Sequence, residues 1–298
     1  MNPRHLILTL LIMLCPIGMA AQSTITRNKP KPAVMKPKPA AKPKAKPKPA
    51  PRRNSTHHSS STTSTTSLSA ELNKLINNMV YVAGGTFTMG GTSEQSSDAY
   101  DDEKPTHSVT LSSYYICKYE VTQALWRAVM GSNPSNFKGN NLPVENVSWN
   151  DCQTFINRLN SYTGRNFRLP TEAEWEFAAR GGNYSRHYKY SGSNYISDVA
   201  WYDGNSGNRT HPIGTKQANE LGLYDMSGNV YEWCSDWYGS YSSYSQNDPT
   251  GPNSGSYRVF RGGSWSDGAR DCRSSYRFFN SPGYRYGDLG LRLVLSQL

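Results

Sequence analysis

Residues 222–237, GLYDMSGNVYEWCSDW, are the stretch from which the rest of the chain can be read. Asp225 and Glu232 flank a turn in which Gly228 and Asn229 can take backbone shapes closed to most residues. Carboxylates together with turn carbonyls are the oxygen donors that a hard cation such as Ca²⁺ takes. Asp225, Gly228, Val230 and Glu232 are therefore a candidate ligand set. Trp233 and Trp237 are too large to lie idle beside the turn, so a core should pack against it. Spacing alone, which is no EF-hand pattern, favours a plain hairpin turn with two solvated acids.

Charge divides the chain. Of its 32 Lys and Arg, 12 fall in residues 1–70, which hold no acid; the other 228 residues carry 20 basic against 22 acidic side chains. The overall +10 thus belongs to the tail, and the rest of the chain gives no electrostatic reason to bind nucleic acid. Residues 1–21 read as a secretory signal peptide: Arg4, a short apolar run over 6–14, and small residues at 18–21. Residues 22–70 read as a disordered linker, Lys/Pro-rich and then Ser/Thr-rich, with too little apolar content to bury. The basic tail could touch anionic envelope polymers. No later segment reads as a transmembrane helix. Residues 71–298 suit one domain with a sizeable core.

Within that domain, 79–89 reads as strand, Gly-Gly break and strand, and 107–116 as a further strand region. Thr122 caps a helix that Gly131 closes, and a second helix starts at Asn150 with Cys152, Phe155, Ile156 and Leu159 on one face. Thr171 and Glu174 form a capping box. Trp175, Ala178 and Ala179 make the buried face of that helix, leaving Glu172 and Glu176 as solvated charge on the other. The Tyr/Ser-rich loop over 238–257 has the composition of an adaptable recognition surface.

The opening stretch resembles the signature of the formylglycine-generating enzyme family, also called sulfatase-modifying factors. Three further pieces agree in order: VSWND at 147–151, RLPTEAEWEFAARGG at 168–182, and RGGSW at 261–265 with LGLR at 289–292. The resemblance spans about residues 79–295. It implies an α+β, C-type-lectin-like fold of mixed short sheets, few helices and much loop. It also implies a second Ca²⁺ position near Asp198 and Val199. By bringing the flanking signatures together, it further implies a Cys234–Cys272 disulfide, leaving Cys117 and Cys152 unassigned.

Enzymes of this family oxidise a sulfatase cysteine to formylglycine with Cu(I) held by two thiolates, placed just after the GGS motif. Soft thiolates suit Cu(I). Here Asp267 stands at the first position and Cys272 falls at the second, counting forward from Ser264. Counting back from Arg273 and Arg277 puts Cys272 elsewhere. Either way one cysteine of the pair is missing. Ser264, Arg277 and Asp288 correspond to the substrate groove, and Tyr276 and Phe278 are candidate contacts on an analogous display surface over 266–288. No phosphate loop, HExxH or G-x-S-x-G motif offers another catalysis.

The expectation is therefore an exported domain that lacks the copper-dependent oxidase site and binds protein or glycan in the cell envelope, periplasmic or at the surface of a Gram-negative bacterium. The alternatives are a formylglycine-generating oxidase with a site rearranged around Cys272, and a purely structural envelope component.

Overall fold

The computed structural model describes residues 60–296. The expected signal peptide and the Lys/Pro-rich part of the linker lie outside the described residues. The linker boundary at residue 70 moves, because helix α1 already runs over Ser60–Asn77. Leu68, Leu72, Leu75 and Ile76 recur at helical spacing within it and pack on the main core. That apolar spacing, at the end of a polar tract, is why the helix belongs to the domain.

Three small sheets follow. In the first, β1 (Met79–Val82) pairs antiparallel with β4 (Tyr114–Cys117), whose other edge takes β10 (Val294–Leu295). The end of the described chain thus closes the sheet that its beginning opens. In the second, β2 (Gly85–Met89) and β3 (His107–Leu111) form an antiparallel pair, and β6 (Gln246–Asn247) lies parallel to β3. The expected strand over 107–116 is split at Ser112, whose backbone N–H and hydroxyl both donate to Asp248 at 2.7 Å. The third sheet, in the order β8-β7-β5-β9, joins Arg277–Asn280, Arg258–Arg261, Tyr231–Trp237 and Leu289–Gly290.

Five helices lie around these sheets among the described residues. In α2 (Gln123–Met130), Thr122 accepts the Leu125 N–H and Gly131 ends the helix at φ 79°, as the sequence suggests. Helix α3 (Trp149–Thr163) begins one residue before the expected start, because Ser148 and Asp151 form a capping box. Its Phe155 stacks on Trp126 of α2 at 4.8 Å. Helix α4 (Glu172–Ala179) is capped by Thr171 and Glu174 as expected. The fifth helix, α5 (Ile196–Val199), is a single turn. With short mixed sheets, few helices and long connections, the architecture is the α+β one expected.

The expected disulfide is absent: Cys117, Cys152, Cys234 and Cys272 are all buried as free thiols. Cys234 packs in the cluster around Trp175 and Met226, whereas Cys272 sits in a separate small cluster with Tyr190 and Val199. The signatures on either side do meet, but through backbone contacts that leave the two sulfurs in different cores.

Candidate functional site

Helix α4 corrects the sequence reading most sharply. All eight of its residues are buried, including Glu172 and Glu176, which are therefore not solvated. The register of the third sheet sets Arg261 of β7 directly opposite Arg277 of β8, so two guanidinium groups lie together beneath the helix. Arg277 makes a two-pronged contact with Glu172, Nε to Oε1 at 2.7 Å and Nη2 to Oε2 at 2.6 Å. Arg261 pairs with Glu176 and also donates to Glu172 at 3.3 Å. Burial alone would push the Glu172 carboxyl up, but the charges of Arg277 and Arg261 outweigh it and hold it below its ordinary value. Arg273 forks onto Glu103 in the same way, at 2.6 and 2.8 Å.

These contacts decide the fate of several expected ligand residues. Arg277 is 1% exposed and committed to Glu172, so it is a strut and not an open anion receptor. Tyr276 is buried against Tyr100, with ring centroids 5.6 Å apart, and Phe278 is half-buried against Phe260 at 5.5 Å. The two rings expected on a display surface pack in or against the core.

At the opening turn, Asp225, Gly228 and Asn229 all take positive φ, at 58°, 78° and 60°. Gly228 is required there because a Cβ would collide with the Trp201 carbonyl. The turn is a junction: Gly228 donates to the Gly262 carbonyl, Asn229 to that of Trp201, and Trp265 to that of Asn229, each at 2.8 Å. Its two acids are buried, which overturns the plain solvated hairpin.

They differ from each other. Glu232 is saturated, accepting from Arg292 on both oxygens and from Trp175 Nε1 at 2.7 Å. Asp225 accepts the Gly214 N–H at 2.7 Å on Oδ2, while its buried Oδ1 has no hydrogen-bond partner among the described residues. Burial pushes the Asp225 carboxyl up to about 6. Glu120, which the sequence reading missed, is buried beside them and accepts from Asn229 and from the Val230 N–H. Its only sequence signal is an acid just before the Val121-Thr122 helix entry. Of these acids Asp225 alone keeps an oxygen free for a further ligand, whereas both Glu232 oxygens serve Arg292. Asp198 and Val199 lie on α5; the Asp198 carboxylate accepts from Ser193 at 3.0 Å, its carbonyl accepts from Gln217 at 2.9 Å, and Val199 is core.

The RGGSW segment brings Ser264 and Asp288 together. The Ser264 hydroxyl bonds to Asp267 and lies 3.3 Å from Asp288 Oδ2, which also accepts from Ser266 at 2.9 Å. Next to them, fully buried Glu145 has an Oε2 with no hydrogen-bond partner among the described residues, and burial pushes its carboxyl up to about 7. Cys272 is fully buried too. Its thiol is driven well above the ordinary value by burial first and by the Asp267 and Asp271 charges next. Gly263, at φ 71°, lets the backbone close on it, since a Cβ would come within 2.7 Å of the sulfur.

A family model described as the sulfatase-modifying factor enzyme 1-like domain matches residues 65–297. This chain belongs to that family. Among its relatives is the chaperone protein LppX of Paenibacillus barcinonensis, 37% identical over 74% of this chain and 90% of that protein. The formylglycine-generating enzyme of Thermomonospora curvata is 29% identical over 76% of this chain and 95% of its own length. The solved structure of Treponema denticola variable protein 1 superposes with a TM-score of 0.67 at 36% identity, covering 73% of this chain and 94% of that one. The chain spans only 38% of the length of the kinase-named relatives that it matches in Chlamydia species.

Within this sulfatase-modifying-factor domain, the residues present do not fit Cu(I). A dithiolate needs two soft ligands. Here Cys272 is a single, buried, protonated thiol, Asp267 is a hard oxygen donor, and the other three described cysteines lie in other clusters.

Proposed function

We propose that this domain is a non-oxidising member of the family that binds a protein or glycan of the cell envelope. The observation that carries the reading is the buried thiol of Cys272 beside Asp267, with no second cysteine near it. Relatives named as a chaperone and as a variable protein support it, because family members need not bear an oxidase's name. The reading includes export through residues 1–21 and placement in the periplasm or at the cell surface, with residues 22–59 as a spacer. No helix among the described residues is long and apolar enough to cross a membrane. A Ca²⁺ ion would be held by Asp225 with the turn carbonyls of Gly228 and Val230, as a brace for the recognition face.

The second reading is a formylglycine-generating oxidase rebuilt around Cys272, favoured by the relative that carries that name. The test is direct. Full-length protein, copper, oxygen and a Cys-x-Pro-x-Arg peptide are incubated, and the peptide is weighed by mass spectrometry. The expected result is an unchanged cysteine. Aldehyde that forms with the parent protein and disappears in Cys272→Ser would establish the oxidase.

A further inference from the structure

Under the loop of residues 239–252 lies a cavity of about 530 Å³, within the size range of small-ligand sites. It is bounded below by the buried ionic layer already described and above by the Tyr/Ser-rich loop. Gln246 and Asn247 supply amides to its wall, and Tyr241 and Trp237 supply rings. Glu172 and Arg277 also reach it, but they neutralise each other.

Asp236 is the exception. It is 4% exposed and lines this cavity. Its Oδ2 accepts the Glu172 N–H at 3.0 Å and the Ser235 hydroxyl at 2.9 Å. Its Oδ1 makes no hydrogen bond, and the residue forms no ion pair, among the described residues. Arg258 feels the Asp236 charge but makes no ion pair with it: its guanidinium is sandwiched between Trp149 and Trp237, 4.0 and 3.5 Å from the ring centroids, and donates to the Ser235 carbonyl. The chain above the carboxyl is Gly251, at φ 71°, where a Cβ would sit 3.2 Å from Asp236 Oδ1. The residue covering the free oxygen is thus the one with no side chain, and the oxygen stays open to the cavity.

A buried carboxyl with a spare oxygen at the wall of a cavity is expensive unless something positive completes it. We infer that this cavity accepts an alkylammonium group, with Asp236 as its counter-ion and the 239–252 loop closing over it. Burial first, and then the Glu172 charge, push the free carboxyl up to about 7, which is the strain that a bound cation would relieve. The inference rests on the binding reading above and names the chemistry of its ligand. Two sources carry that chemistry: a lysine side chain of an envelope protein, and a free amino sugar of a glycan.

The test is calorimetric titration of the full chain with three probes: a lysine-containing peptide, a glucosamine oligomer, and the matched N-acetylglucosamine oligomer. Saturable binding of one ammonium probe is expected, at least tenfold tighter than that of the acetylated oligomer. The peptide or the glucosamine arm then identifies the source. In Asp236→Asn the affinity should fall at least tenfold, while the amide oxygen still accepts the Glu172 N–H. Should that variant melt much lower, Ser240→Trp at the exposed rim fills the mouth without touching the ionic layer, and should block binding. Equal binding of the acetylated oligomer would make this a neutral-sugar site and overturn the proposal. So would undiminished binding in Ser240→Trp, or no binding of any probe, which would leave Asp236 a protonated structural acid. None of these outcomes depends on the aldehyde assay, so the two readings fail separately.

Discussion

Glu103, Glu172, Glu176 and Glu232 on one side, and Glu145, Asp225 and Asp236 on the other, are all 4% exposed or less, yet they live under different rules. Each of the first four is held by an arginine within the protein. The other three form no ion pair among the described residues, and each is pushed upward by burial. Depth alone therefore does not set the charge of a carboxyl here; the presence of a guanidinium does. The paired set ties α4 to the third sheet and is architecture. The unpaired set lies at the opening turn, beside Ser264, and under the 239–252 loop, where a ligand could do what no arginine does.

The largest effect expected from breaking this contrast is in the paired set. Glu176→Ala removes an acid shared by Arg261 and Arg180 and should cost about 3–5 kcal/mol in urea unfolding. A loss below about 1 kcal/mol would show that the pairs are not what holds the layer.

The dependence on pH comes next, with opposite signs for the two sets. The unpaired acids have folded values of about 6 to 7 against about 4 when unfolded. Their contribution is fully present below about pH 4 and is lost as pH rises through 6–7. Glu172 and Glu103 are held low by arginine, so their contribution is present above about pH 4 and lost as pH falls below it. Urea midpoints should therefore be highest near pH 4 and lower at both pH 8 and pH 2. A midpoint that rises steadily from pH 5 to pH 8 would contradict the assignment of the unpaired set.

Smaller again is the response to Ca²⁺. At a hundredfold above its dissociation constant the ion would add about 2.7 kcal/mol, and Asp225→Asn should remove the shift in melting temperature. An unchanged melting temperature on adding Ca²⁺ or chelator would make the turn purely structural. Smallest is Glu145→Gln, which takes the charge from an orphaned oxygen. It should raise the urea midpoint at pH 8 by the equivalent of about 1 kcal/mol or less.

Much of the frame was legible in the residues. The caps at Thr122 and Thr171, the Gly131 stop and the apolar face of α3 are local chemistry, settled within four or five positions. Other readings failed for a common reason. Glu172 and Glu176 look solvated because nothing nearby in the chain announces arginines 85 or more positions away. Asp236 and Glu145 look like ordinary surface acids until a loop and a strand from elsewhere cover them.

By itself the sequence determined the family, the helix ends, and the absence of a second cysteine after RGGSW. Only the tertiary structure decided which carboxylates are partnered, that the four described cysteines stay apart, and where a cavity opens. Periodicity and capping are short-range properties written along the chain. The state of a buried charge depends on what the fold carries to it from far away.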